Sequence, residues 1–166
     1  MKYRDIRSEI KSGDLLSWSH RGWRSWYDLQ VQFIRVFTRS EYSHVGAAYI
    51  LGPRLFVLEA VSPRVRIFPL SSLLPFYWTT VPTLNWTIEL EDWALNTVGQ
   101  PYSKWHAIQH GAKHEPGKAP PPWQCAEWYR EMARRGGIDS DYRATPTCVT
   151  LGIQRRLEAV TKYVEA

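Results

Sequence analysis

Acyl transfer needs a nucleophile, a base and a group that orients the base. Cys125, His44 and Glu59 could supply all three. Cys125 opens a stretch with helical periodicity, and at a helix start the unpaired N–H groups and the dipole favour thiolate over thiol. The thiolate is the attacking form. A buried, inert cysteine on an apolar helix face is the competing reading, and it describes most free cysteines. His44 stands at the head of an apolar run, Val45 to Ile50, where a ring can project from a strand end. Glu59 interrupts a second apolar run, Leu55 to Val61. A carboxylate inside a buried strand costs free energy unless something pairs with it.

Whether His44 can be that partner depends on the hairpin around Gly52-Pro53. A two-residue loop at Leu51-Gly52 places His44 directly opposite Glu59. A four-residue loop over 51–54 makes the pair diagonal on the same face, and an odd loop separates them onto opposite faces. With an even loop, Cys125 is the nucleophile, His44 its base and Glu59 the residue that orients the imidazole. The alternative is a structural His–Glu pair beside an unrelated cysteine.

The elements around these residues point to an α+β chain. Ser12-Gly13-Asp14 reads as a turn before the apolar step Leu15-Leu16, and residues 23–37 approach a helical period. Three strands are expected over Val45 to Ile50, Leu55 to Val61 and Arg64 to Phe68. Thr79 to Leu90 is rich in β-branched residues and reads as a strand that Pro82 confines to an edge or splits. Residues 91–166 read as mostly helical. A short helix from Glu91 to Val98 stops at Gly99-Gln100-Pro101, another begins near Ser103, and the proline-rich stretch 115–122 is a loop. The best-defined helix is Cys125 to Arg135. Cys125, Trp128, Tyr129, Met132 and Ala133 share one face, and Gly136-Gly137 ends it. Cys148 lies in Pro146–Thr150, read as a short strand or turn, and an amphipathic helix over 151–160 follows.

Composition narrows the function classes. The chain has 166 residues, 44% hydrophobic and 22% charged, the balance of a single globular domain. Its net charge of +5 favours acidic partners without choosing among them. No apolar run approaches the roughly 20 residues of a membrane span. The charged N-terminus lacks an apolar signal-peptide core, so a cytoplasmic location is expected. Two cysteines are too few for a disulfide framework or a Cys-built zinc site. A disulfide between Cys125 and Cys148 would silence the proposed nucleophile. His106, His110 and His114 share a helical spacing that can bind zinc, but Gly111 interrupts it and no nearby acidic or Cys ligand follows at a fixed spacing, so a solvated or substrate-facing row is the alternative. The tryptophans and tyrosines, nine of each, are spread along the chain as core residues are, so nucleic acid is not an expected partner.

Several segments together resemble a known family. Gly13-Asp14-Leu15-Leu16, Thr38 to Gly46, Leu58-Glu59-Ala60, Gly99-Gln100-Pro101-Tyr102 and Cys125-Ala126-Glu127 are similar to motifs of the YiiX/YebB-like group. These are circularly permuted NlpC-type cysteine hydrolases of papain-like fold. The order His, acidic residue, Cys is the permuted one, and the resemblance spans residues 13 to 137. It implies one cysteine-hydrolase domain over 1–166, with its core in 13–137 and a C-terminal extension in 138–166. It also implies an antiparallel sheet packed against helices, with the nucleophile at a helix N-terminus. Cys125, His44 and Glu59 take the roles given above. Tyr102 matches a tyrosine beside the nucleophile, whose phenol could donate to the oxyanion together with the Cys125 N–H. Ala126 stands where many members carry serine.

The implied reaction cleaves an amide, such as a peptidoglycan peptide bond, through a thioacyl-enzyme without metal or cofactor. A lipid amide, ester or thioester hydrolase or acyltransferase on the same site is the alternative, and a non-catalytic binding module the third class. A cell-wall substrate would require delivery by lysis, secretion or a phage particle.

Overall fold

The computed structural model describes residues 1–19, 42–102, 123–138 and 145–166. The helices expected over 23–37 and from Ser103, the loop at 115–122 and the histidine row fall outside these residues.

Six strands form one antiparallel sheet in the order β4-β3-β2-β1-β5-β6. They are β1 (Leu15–Trp18), β2 (His44–Leu51), β3 (Arg54–Val61), β4 (Arg64–Pro69), β5 (Phe76–Thr79) and β6 (Thr161–Val164). The helices are α1 (Tyr3–Ile6), α2 (Ile88–Asn96), α3 (Cys125–Arg135) and α4 (Pro146–Leu157). The architecture is α+β.

Both faces of the sheet are covered, which is why β2 and β3 read as apolar runs rather than alternating strands. Leu15, Val45, Ala47, Tyr49, Leu58 and Ala60 pack with Trp128, Tyr129 and Met132 of α3 and with Val149 and Ile153 of α4. Leu16, Ala48, Leu55, Val57, Phe76 and Trp78 form the second cluster with Ile6, Ile10 and Leu70. Asp14 ties the entry to β1 across to β5. Its buried carboxylate accepts from Trp78 Nε1 at 2.8 Å and from the backbone N–H groups of Lys11 and Val81. The phenol of Tyr129 donates to Gly13 O at 2.8 Å and pins α3 to the same turn.

The β2–β3 hairpin turns at Gly52-Pro53, with Leu51 paired to Arg54 and Gly52 at φ +58°. That φ lies in the left-handed region, which glycine occupies without a Cβ penalty. Downstream of β4 the expectations need correction. The strand expected over Thr79–Leu90 is confined to Phe76–Thr79, and Ile88 to Leu90 open α2. Thr87 is the reason, since its side chain caps the helix by accepting from Leu90 N. Residues 146–150 are not strand or turn but the first turns of α4. Thr145 accepts from Cys148 N and Pro146 sits at the first helical position. Residues 161–164, within the stretch 91–166 expected to be mostly helical, pair with β5 as the edge strand β6. Among the described residues no helix is long and apolar enough to cross a membrane.

Candidate functional site

Helix α3 begins at Cys125 because a capping box fixes its start. The Gln124 side chain accepts from Ala126 N at 3.1 Å, and the Glu127 carboxylate accepts from Gln124 N. The thiol is therefore held in the first turn, where the dipole favours negative charge. Cys125 is 4% exposed, and both cysteines are free thiols, so no Cys125–Cys148 disulfide forms.

His44 is the first residue of β2 and pairs with Trp18 of β1. Their rings lie 5.5 Å apart, and the indole is locked by donating to Leu73 O at 2.8 Å. The hairpin register is the one that sets His44 and Glu59 diagonally on one face. One step beyond the rung Ala47–Leu58, Gly46 faces Glu59. A Cβ on Gly46 would stand 3.1 Å from Glu59 Cβ, so the missing side chain leaves the carboxylate a clear path to His44. His44 Nε2 and Glu59 Oε2 are 2.6 Å apart. The other carboxylate oxygen, Oε1, accepts from Arg66 Nε and Nη2, both at 2.7 Å.

The Cys125 thiol donates to Gln124 Oε1 at 3.7 Å and lies close enough to the imidazole to act on its charge. Burial alone would lower the basicity of His44. Cys125 and Glu59 together outweigh it and push the imidazole up to about 10. Burial likewise works against an ionised Glu59, but His44 and Arg66 hold its carboxyl below the ordinary carboxylate range. At neutral pH the pair is an imidazolium on a carboxylate.

Tyr102 is placed by its backbone. Residues 101 and 102 run beside Trp123, with a parallel bridge from Tyr102 to Trp123 and a bond from Trp123 N to Pro101 O at 2.9 Å. The tyrosine is thereby set beside the residue two before Cys125. His44 thus links Glu59 and Cys125, and Tyr102 stands on the strand-like segment beside Trp123.

Three residues at the site were not anticipated. Arg66 was read only as the outward position of an alternating strand. Trp18 carries no local signal, since only the β1–β2 pairing brings it beside His44, and Gly46 enters the sequence reading only as the end of the segment Thr38 to Gly46.

No protein-family model matches the sequence, and no curated protein matches it either. Among solved structures the chain is similar to the crystal structure of metalloprotein yiiX from Escherichia coli O157:H7. The identity is 18%, the TM-score 0.54, and the match covers 89% of this chain and 82% of that one. At this identity the likeness is one of fold, an α+β arrangement shared over most of both chains.

Proposed function

We propose that the chain is a cysteine hydrolase of circularly permuted, papain-like topology that cleaves an amide bond through a thioester on Cys125. The observation that carries this reading is an imidazole bonded at 2.6 Å to a buried carboxylate and electrostatically coupled to a helix-start thiol. The chain order His, Glu, Cys and the fold shared with yiiX support it.

In this mechanism the Cys125 sulfur attacks the substrate carbonyl carbon. The tetrahedral oxyanion is met by the Cys125 N–H and the Tyr102 phenol. The C–N bond breaks as the His44 imidazolium gives its proton to the departing amine, leaving a thioester and neutral imidazole. His44 then takes a proton from water, whose oxygen attacks the thioester, and the acid leaves as the sulfur is released. Glu59 keeps the ring oriented and stabilises its charged form.

The fold neighbour is described as a metalloprotein, but the described residues of this chain do not fit a metal. None of their groups of three or more His, Cys, Asp or Glu side chains could hold one. The Glu59 oxygens are shared between an imidazole and a guanidinium, and a further cation there would be repelled.

The test is carbamidomethylation by iodoacetamide across about pH 5 to 9, reading Cys125 and Cys148 separately by mass spectrometry, in wild type and His44→Ala. Cys125 is expected to react well below the ~8.5 of a free thiol and to lose that reactivity in His44→Ala. Muropeptides and N-acyl lipid amides, assayed with Cys125→Ala as the blank, then separate the two substrate classes. A Cys125 that titrates like an ordinary thiol in both proteins overturns the reading.

A further inference from the structure

The hydrolase reading uses three residues, yet a fourth charged group stands against them. Arg66 lies on β4 directly opposite Glu59 on β3. Its guanidinium places Nε and Nη2 on one carboxylate oxygen, while His44 holds the other. Glu59 is 1% exposed and the arginine side chain 40%, so the carboxylate is buried and one of its two counter-charges reaches solvent. The aromatic face of Phe68 lies 4.6 Å from the Arg66 guanidinium carbon and fixes the arginine from below.

A buried carboxylate with two oxygens and a single imidazole partner has a choice of rotation, and its second oxygen is left without a donor. Such an orphaned acceptor is costly, and the group escapes the cost by turning or by taking a proton. Either escape removes the acceptor that aims the imidazole.

We propose that Arg66 is a positioning residue for the His44–Glu59 pair: by occupying Oε1 it leaves Oε2 fixed on the ring that serves Cys125. This rests on the hydrolase reading. Among the described residues, the charged and titratable groups that face Glu59 are His44 from β2 and Arg66 from β4, with Cys125 of α3 acting on it through His44. Without Arg66, Glu59 loses one of its two cations and protonates at higher pH, which uncouples His44 at the acid end. At the neutral end the carboxylate is still ionised, and its pull on the imidazole is no longer shared with a competing cation. The signature is therefore an acid limb moved toward neutral pH with the neutral plateau retained. A general loosening of the fold would instead alter reactivity at every pH.

The experiment compares wild type, Arg66→Met and Arg66→Lys in the full chain. Cys125 carbamidomethylation is followed against pH, and the Glu59 carboxyl carbon is titrated by NMR in protein labelled with 13C-glutamate. At about pH 5, Arg66→Met is expected to react measurably more slowly than wild type, because less of Glu59 is ionised to hold the imidazole. Near pH 8 it should match wild type, and Arg66→Lys should restore most of the acid reactivity through its charge. The Glu59 titration should move upward in Arg66→Met. An unmoved Glu59 titration overturns the proposal, as does a moved titration with an unchanged thiol profile. Failure of the parent reading looks different, since His44→Ala would then match wild type.

Discussion

Gly46→Ala tests the geometry that lets a residue on β2 reach a diagonal partner on β3. The added Cβ would lie 2.7 Å from Val57 Cγ2, 3.0 Å from the Leu58 carbonyl oxygen and 3.1 Å from Glu59 Cβ. Carbon atoms in good contact sit about 3.5–4.0 Å apart, so the Val57 methyl must retreat by roughly 1 Å. Val57 is fully buried and β-branched, so it has no free rotamer to retreat into. The Leu58 oxygen belongs to the backbone and moves only if the strands part. Overpacking of this kind costs about 1–3 kcal/mol. With a urea dependence of about 2 kcal/mol per molar, a cost near the middle of that range lowers the urea midpoint by about 1 M. The same displacement pushes Glu59 away from His44, so the acid-side reactivity of Cys125 should fall along with stability. Both readouts come from one preparation, urea unfolding followed by tryptophan fluorescence and iodoacetamide labelling near pH 6. A midpoint within about 0.2 M of wild type, well under the error-free cost of overpacking, would refute the packing argument. A lowered midpoint with unchanged labelling would confine the role of Gly46 to packing and refute its role at the site.

Three further outcomes are expected. The His44 proton is bound more tightly in the folded chain, at about 10, than in the unfolded one at ~6.5. The pair's stabilisation is therefore complete below that lower value and is lost as pH rises toward the upper one. Urea midpoints between these limits should fall in wild type and stay flatter in His44→Ala. Glu59 acts with the opposite sign, because its folded pKa is depressed. Its contribution is present above the unfolded carboxylate value and disappears as pH falls through the folded one, so Glu59→Gln should flatten the acid side of the same profile. Asp14→Ala strands the indole N–H of Trp78 and two backbone N–H groups in the interior. Calorimetry should show a loss on the order of 3 kcal/mol, and a loss under about 1 kcal/mol would mean that water replaces the carboxylate.

Local signals made the centre of the molecule legible and left its margins obscure. Gly52-Pro53 between apolar runs fixed the hairpin, and Glu59 stood out because a carboxylate inside such a run demands a partner. The start of α3 was readable from its period and from the glycines that end it. Arg66 was not, because Arg64-Val65-Arg66 alternates as any half-exposed strand does. Only the register of β4 on β3 turns that outward arginine toward Glu59. β-Branched content misled twice, at Thr79–Leu90 and at Pro146–Thr150. In both, a threonine cap and, in the second, a proline at the first helical position outweighed strand preference. The edge strand β6 has no local signature in Thr161–Val164. It exists because β5 presents an open edge to it.

The polar row across the sheet also bears on how the strands find their register. A strand buried on one face is held in register by its hydrophobic alternation, since a one-residue slip turns every side chain over. β2 and β3 are apolar on both faces, so alternation alone distinguishes the correct pairing weakly. Glu59 and Gly46 supply what the pattern lacks. Slipping β3 by one residue would carry the Glu59 carboxylate into the cluster beneath α3, against Val45, Ala47 and Trp128 and away from Arg66 and His44. An unpaired charge there costs several kcal/mol, more than any apolar contact such a slip could add. It would also set Leu58 or Ala60 opposite Gly46, in place of the Glu59 that now makes the diagonal reach. The residues that could carry the chemistry are thus the same ones that penalise the wrong pairing, and the site and the register of its strands stand or fall together.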